Sequence, residues 1–204
     1  MAKFAKDVAA QNIVKPSPDD LVASARAATK KGPPPVHLWN PPFCGDIDME
    51  IRRDGTWFYM GTPIGRPALV RLFSSILKLE DGRYFLVTPV EKVGIRVQDA
   101  PFVAIDISAQ TRDGGQVLVF TTQVGDTVDA GPDHPIRVVR DPESGEPSPY
   151  VMVRAGLEAL IDRKSFYRLV EMGETAPHDG MDWFGVRSAG TFFPIIPAAE
   201  LPAD

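Results

Sequence analysis

The side chains best suited to covalent or metal chemistry fall between His37 and Asp48, in the run HLWNPPFCGDID. Cys44 is the only cysteine of the chain. A thiol attacks as its thiolate, which needs a neighbouring base or positive charge, and nothing in the sequence sets His37 beside it. The plainer reading of Cys44 is a small hydrophobe at the start of a strand. Asp46 and Asp48 share a strand face, as residues i and i+2 do, so they could hold a hard cation or act as an acid–base pair. Alternating acids are equally the pattern of a solvated strand face. CxxC and HExxH spacings are absent, as is a second Cys/His cluster. No metal and no catalytic residue is assigned.

A second stretch points to binding rather than bond breaking. Gly61-Thr62-Pro63-Ile64-Gly65-Arg66-Pro67 is a glycine-containing loop feeding a helix start. Backbone N–H groups and the helix dipole attract anions there, and the Arg66 guanidinium suits phosphate or carboxylate. The loop lacks the Gly-Lys-Ser/Thr ending of a Walker A motif, and it is not GxGxxG. An ordinary turn with a surface arginine would have the same composition. Trp39, Trp57 and Tyr59 could line a pocket for a planar ligand, although aromatics at strand spacing more often fill a core. His134 and His178 lie in polar loops, and no GxSxG motif is present.

A turn-rich β framework must position these groups, because 20 prolines and 17 glycines fall between the periodic segments. Residues 1–16 show no period. Ser17-Pro18-Asp19-Asp20 predicts a helix start, with a cap, a first-turn proline and acids at the positive dipole end. Leu21, Val22, Ala25 and Ala28 give that helix a thin apolar stripe, the mark of a cover packed on a larger body. Ile47, Met49 and Ile51 alternate with Asp46, Asp48 and Glu50, predicting a half-buried strand. Arg53-Asp54-Gly55-Thr56 turns it into a return strand over Trp57–Met60. Pro67 opens a helix with Leu69, Leu72, Phe73 and Ile76 inward. A strand follows at Tyr84–Val87, then more at about 93–98, 101–109, 116–123, 136–139 and 150–153. A helix within Leu157–Met172 and strands near 183–186 and 191–196 complete the expectation.

Composition bounds the setting. Hydrophobic content of 44% supports a true core. The net charge of −5 argues against nucleic acid or an anionic membrane as the partner. No apolar run approaches the ~20 residues needed to span a bilayer, and MAKFAKDVAAQN lacks the apolar stretch of a signal peptide. A lone cysteine leaves no intramolecular disulfide and fits a reducing compartment. A soluble cytoplasmic protein is expected.

The chain also repeats itself. Ile64-Gly65-Arg66-Pro67-Ala68-Leu69-Val70-Arg71-Leu72-Phe73 aligns with Ile161-Asp162-Arg163-Lys164-Ser165-Phe166-Tyr167-Arg168-Leu169-Val170. Upstream of each lies a strand, an Arg-Asp turn and a second strand. Downstream, Glu80-Asp81-Gly82 before Tyr84-Phe85 matches His178-Asp179-Gly180 before Trp183-Phe184. A duplicated β–β–α–β unit is the reading, with Arg163 the counterpart of Arg66 and Arg168 that of Arg71. Similar units create a cleft between them, where ligands favour binding.

The strings HLWNPPFCGDIDM, DGTWFYMGTPIGRPALVRLFSSIL and DGRYFLVTPVEKVGIRVQDAPF resemble a proteobacterial family known as Domain of Unknown Function 1285, from about His37 to Arg187. The resemblance implies a small N-terminal α+β domain, a C-terminal domain like a pleckstrin-homology β-barrel, and repeated structural motifs. It further implies a cleft at the domain interface for a nucleotide-like molecule and a role in signalling. It implies no activity and no cofactor.

Together these readings give an α+β fold with an N-terminal extension (1–36), an α+β domain (37–90) and a barrel-like domain with a helix (91–204). The expected function is regulatory binding of a small anionic ligand at the domain interface. The site is drawn from Trp39, Asn40, Cys44, Gly45, Asp46, Thr62, Gly65, Arg66 and Arg163. An enzyme using Cys44 or Asp46/Asp48 and a protein-interaction scaffold are the alternatives; a protein partner fits either the scaffold or the regulatory reading.

Overall fold

The computed structural model describes residues 18–29 and 34–201. The expected Ser17 cap and the unpatterned residues 1–16 lie outside the described residues. After helix α1 (Pro18–Thr29), a first unit runs β1 (Phe43–Ile51), β2 (Trp57–Tyr59), β3 (Thr62–Pro63), α2 (Pro67–Ser75), β4 (Leu77–Glu80), β5 (Arg83–Val87) and β6 (Lys92–Val97). The strand at β1 follows from its alternation: Met49 and Ile51 are buried while Asp46 and Asp48 face water. One sheet results, ordered β3-β2-β1-β6-β5-β4, with β1 antiparallel to β2 and parallel to β6.

A meander follows: β7 (Phe102–Arg112), β8 (Gly115–Thr122) and β9 (Thr127–Asp129). The second unit is β10 (Ile136–Arg140), β11 (Pro147–Arg154), β12 (Leu157–Ile161), α3 (Arg163–Glu171), β13 (Glu174–His178), β14 (Met181–Ser188) and β15 (Thr191–Pro197). Three strands, a helix and three strands therefore occur twice, a larger version of the expected β–β–α–β unit. In the first unit β1 and β6 are hydrogen-bonded. In the second, β10 runs beside β15, but the sheets stay separate: β10-β11-β12-β7-β8-β9 and β13-β14-β15.

The molecule is mostly β, with three α-helices among the described residues. No closed barrel forms among them, so the pleckstrin-homology-like barrel is not found. The break between β10 and β15, together with the parallel pairing of β12 on β7, opens the second unit instead of closing it. β6 is hydrogen-bonded between β1 and β5, although a division after residue 90 assigns it to the second domain. The helix expected within Leu157–Met172 begins only at Arg163. Ala155 and Gly156, both at positive φ, turn β11 back as the strand β12. Asp162 then caps α3, its carboxylate accepting from Ser165 N–H at 2.7 Å. The helix opened by Pro67 stops at Ser75, so Ile76 lies just beyond it and Lys78 lies in β4.

One hydrophobic cluster spans both units. It joins Leu21 and Ala25 of α1, Trp57 and Phe73 of the first unit, Phe102 and Phe120 of the meander, and Leu169, Val186 and Phe193 of the second. The thin stripe of α1 is the expected cover, laid on α2. Phe73 is 1% exposed, and truncating such a side chain to alanine costs ~3–5 kcal/mol. A polar clamp reinforces the junction. Arg53, in the turn after β1, pairs with Asp99 and donates to Ser148 Oγ at 2.8 Å, while the Tyr150 hydroxyl donates to Asp99.

Two glycines report different kinds of crowding. A Cβ on Gly94 would stand 1.9 Å from Asp46 Oδ1, the exposed end of a side chain that can swing away. Gly94→Ala should cost no more than a surface ion pair, ~0–1 kcal/mol, and nothing in an Asp46→Ala background. Gly55 has φ +81°, and a Cβ there would lie 3.0 Å from both Gln123 Nε2 and Val103 Cγ2. Gly55→Ala should cost ~1–2 kcal/mol from its backbone alone. Urea unfolding of the variants checks this, and equal losses at the two glycines would contradict it.

Candidate functional site

Arginine–carboxylate pairing across strands is the rule in this structure. Asp46 meets Arg83 at 2.9 Å and Asp48 meets Arg96 at 2.8 Å, while Gln98 donates to Glu50. Arg83 of β5 and Arg96 of β6 thus neutralise Asp46 and Asp48 on the acidic face of β1. Among the described residues no His/Cys/Asp/Glu group could hold a metal ion. Cys44 is half-buried, and its Sγ meets the Pro42 carbonyl at 3.5 Å, a contact that supplies no base. The Trp39 carbonyl accepts from Lys78 Nζ at 3.0 Å, and Asn40 is exposed.

The arginines without such partners are together. Among the described residues Arg26, Arg66 and Arg71 have neither a carboxylate nor a hydrogen-bonding partner for their guanidinium groups. Arg26 and Arg66 line a cavity of about 580 Å³ whose walls include Val22, Met49, Tyr59 and Leu69. Thr62 and Gly65 also line it. α1, α2, β1, β2 and the β3–α2 loop build this cavity, so it belongs to the first unit and its cover rather than to the junction. Trp39, Asn40, Cys44, Gly45 and Asp46 are not among its lining residues. Arg71 lines a smaller cavity on the other side of the loop, which shares Ile64 and Gly65.

The second unit supplies an internal comparison. Its equivalent cavity, about 330 Å³, is lined by Ile161, Asp162, Arg163 and Phe166, the counterparts of Ile64, Gly65, Arg66 and Leu69. Arg66 and Arg163 therefore do not converge on one ligand; each has its own pocket. There, three side chains find partners inside the chain. Asp162 caps its helix, Arg163 donates to the Tyr167 hydroxyl at 3.0 Å, and Arg168 pairs with Asp106 and donates to the Ile107 carbonyl. In the first unit Gly65 replaces the capping carboxylate, Val70 replaces Tyr167, and no side chain caps α2.

A cavity of about 460 Å³ does lie between the units, lined by His37, Lys78, Arg154 and Leu157. Its charges are already spent: Arg154 pairs with Asp126 and donates to the Ser74 carbonyl at 2.9 Å, and Lys78 pairs with Glu80 at 2.7 Å. Hydrogen bonds from Lys78 and then Lys92 hold the Glu80 carboxyl below its ordinary range. Sequence reasoning missed Arg26 and the role of Arg71. Arg26 has no local motif, and only α1 packing on α2 brings it to the cavity. The repeat did mark Arg71, through Arg168.

A duplicated three-strand, helix, three-strand plan around a shared core defines a two-unit, mostly β protein with an open anion-friendly helix end. The model for "Domain of unknown function (DUF1285), N-terminal domain" matches residues 34–100, and that for "Protein of unknown function (DUF1285), C-terminal domain" matches residues 101–195. The chain belongs to the DUF1285 family. It is 67% identical to a DUF1285 family protein from Silicibacter pomeroyi DSS-3, with TM-score 0.79, covering 88% of this chain and 96% of that one. A DUF1285 family protein from Shewanella baltica OS155 is 29% identical, with TM-score 0.48, covering 60% of this chain and 90% of that one. A comparison with curated proteins finds no match. No helix among the described residues is long and apolar enough to cross a membrane.

Glu80 has a pH signature. A carboxyl lowered by folding contributes stability above its unfolded value, given as 4.5, and loses it as pH falls through the depressed folded value. Wild type should therefore lose stability more steeply than Glu80→Gln below about pH 4.5, read as urea midpoints against pH. Parallel curves would remove the Lys78–Glu80–Lys92 bridge from the account.

Proposed function

We propose that this protein binds a small anionic molecule of nucleotide-like form at the N-terminal end of α2, and that it serves as a regulatory binding module in signalling. The observation that carries this reading is the asymmetry of the repeat: in the second unit Asp162 caps its helix, Arg163 meets Tyr167 and Arg168 meets Asp106, while in the first Arg66 and Arg71 have no partner among the described residues. Where almost every other arginine has found an acceptor, this end of α2 offers donors and takes none.

The cavity volume of about 580 Å³ lies within the ~300–1,000 Å³ range of small-molecule sites. Tyr59, Met49 and Leu69 give apolar surface for a flat ring, and Arg26 and Arg66 give charge for its anionic end. Among the described residues no carboxylate, histidine or cysteine lines this cavity, so those residues provide no group with an ordinary pKa near neutrality for proton transfer. That composition favours holding a ligand over converting it.

Titration calorimetry with a panel of nucleoside monophosphates tests the reading. A charge-assisted hydrogen bond contributes ~1.5–3 kcal/mol, so Arg66→Ala and Arg26→Ala should each weaken binding on the order of tenfold to a hundredfold. Arg163→Ala and Cys44→Ala should leave it unchanged. Equal affinity in wild type and Arg66→Ala would remove this site from consideration.

A further inference from the structure

Helix α1 is held to the body by a narrow contact. Leu21 and Ala25 are buried, at 1% and 0% exposure, and Val22 is half-buried beside them. Among the described side chains from Leu21 to Thr29, none makes a hydrogen bond or ion pair to another element. The Thr29 hydroxyl donates back to the Ala25 carbonyl, at 3.0 Å. α1 has 12 residues, a length at which a helix is marginal in water without a surface to pack on.

Across that narrow contact α1 brings a positive charge. Arg26 of α1 and Arg66, the residue before α2, line the same cavity of about 580 Å³. Both residues are exposed, so a ligand can reach them, and neither has a partner among the described residues. Val22 joins Arg26 on the α1 side, while Ala68, Leu69 and Phe73 come from α2. One cavity therefore has one wall on each helix, with a guanidinium on each. Alone, two like charges oppose the docking of α1, most strongly at low salt. An anion that accepts from both reverses the sign of that interaction.

We infer that a phosphate group held in this cavity acts as a clasp, accepting from Arg26 and Arg66 together and fastening α1 onto α2. Guanidinium forks suit the several oxygens of a phosphate, whether it is a free ion or part of a nucleotide. This rests on the reading of the α2 end as an anion site, and adds how occupancy changes the protein: α1 docking reports it. By mass action, an anion that binds only the docked form lowers the undocked fraction about tenfold at ten times its dissociation constant. Reciprocally, whatever loosens α1 weakens the ligand.

Hydrogen exchange of the full chain, read by mass spectrometry over peptides of α1 and α3, tests this. Inorganic phosphate and adenosine 5′-monophosphate enter in separate arms, each at ten times the dissociation constant found by calorimetry, against sodium chloride at matched ionic strength. Exchange of α1 amides should slow about tenfold with whichever probe binds, while α3 amides stay unchanged. Slowing by phosphate assigns a free ion, and slowing by the nucleotide alone assigns the phosphate of a larger molecule. At equal occupancy, Arg26→Ala should lose the effect. A further arm needs no ligand: Arg26→Glu sets a carboxylate facing the same cavity as Arg66. It should protect α1 more in the wild-type background than in Arg66→Ala, a comparison that cancels the cost of an acid in the last turn of a helix. Binding that is lost in Arg66→Ala, with α1 exchange unmoved by the bound probe, overturns the clasp and leaves the binding reading intact. If neither probe binds, the charge comparison decides: equal protection in the two backgrounds overturns the clasp, and unequal protection keeps it while discarding the nucleotide.

Discussion

The stacking of Trp57 on Phe73 is the contact on which the placement of α2 depends. The rings lie 6.2 Å apart between centroids at 20°, and both side chains are 1% exposed. Such a pair contributes ~0.5–1.5 kcal/mol beyond the burial of its area. It fastens α2 to the short strand β2, and α1 in turn rests on α2. Phe73 lines the cavity of about 580 Å³ and Trp57 the one of about 230 Å³, so this aromatic pair forms part of both. Arg26, Arg66 and Arg71 are gathered around one helix end because this stack fixes where that helix lies.

The repeated plan gives the molecule two helix ends that differ in their side-chain partners. The backbone plan is shared, and the difference lies in a few side chains. A capping carboxylate and a tyrosine hydroxyl complete the second end, while glycine and valine at the matching positions leave the first one open. Helix starts are positive whether or not they are used. What separates the two ends is that the second carries the chain's own carboxylate, Asp162, at its cap.

Much of this was legible in the residues. The alternation of β1, the Arg-Asp-Gly turn, the proline at the start of α2 and the repeat itself are local patterns, and local patterns survive folding. Strands β3 and β4 were not legible: the first is two residues long, and Leu77-Lys78-Leu79 continues the helical run before it. The partners of Asp46 and Asp48 were not legible either: Arg83 and Arg96 answer them, far along the chain. Parallel register between β1 and β6 decides that pairing, and no short window contains it. Arg66 was found from its loop. That it stands unpaired could be learned only after every other arginine had been placed.

The short edge strand β3 carries a further consequence. In the second unit the corresponding strand, β12, is five residues long and extends its sheet by pairing with β7. In the first unit β3 has two residues, and the second is Pro63, which has no N–H to donate. A further strand finds little to zip onto at this border. The rim that its twin gives to sheet growth is here kept free for the mouth of the cavity of about 580 Å³, and the same proline shields an open sheet margin from joining a neighbour's. One imino acid thus limits this edge: the sheet ends at Pro63, beside the cavity that it lines.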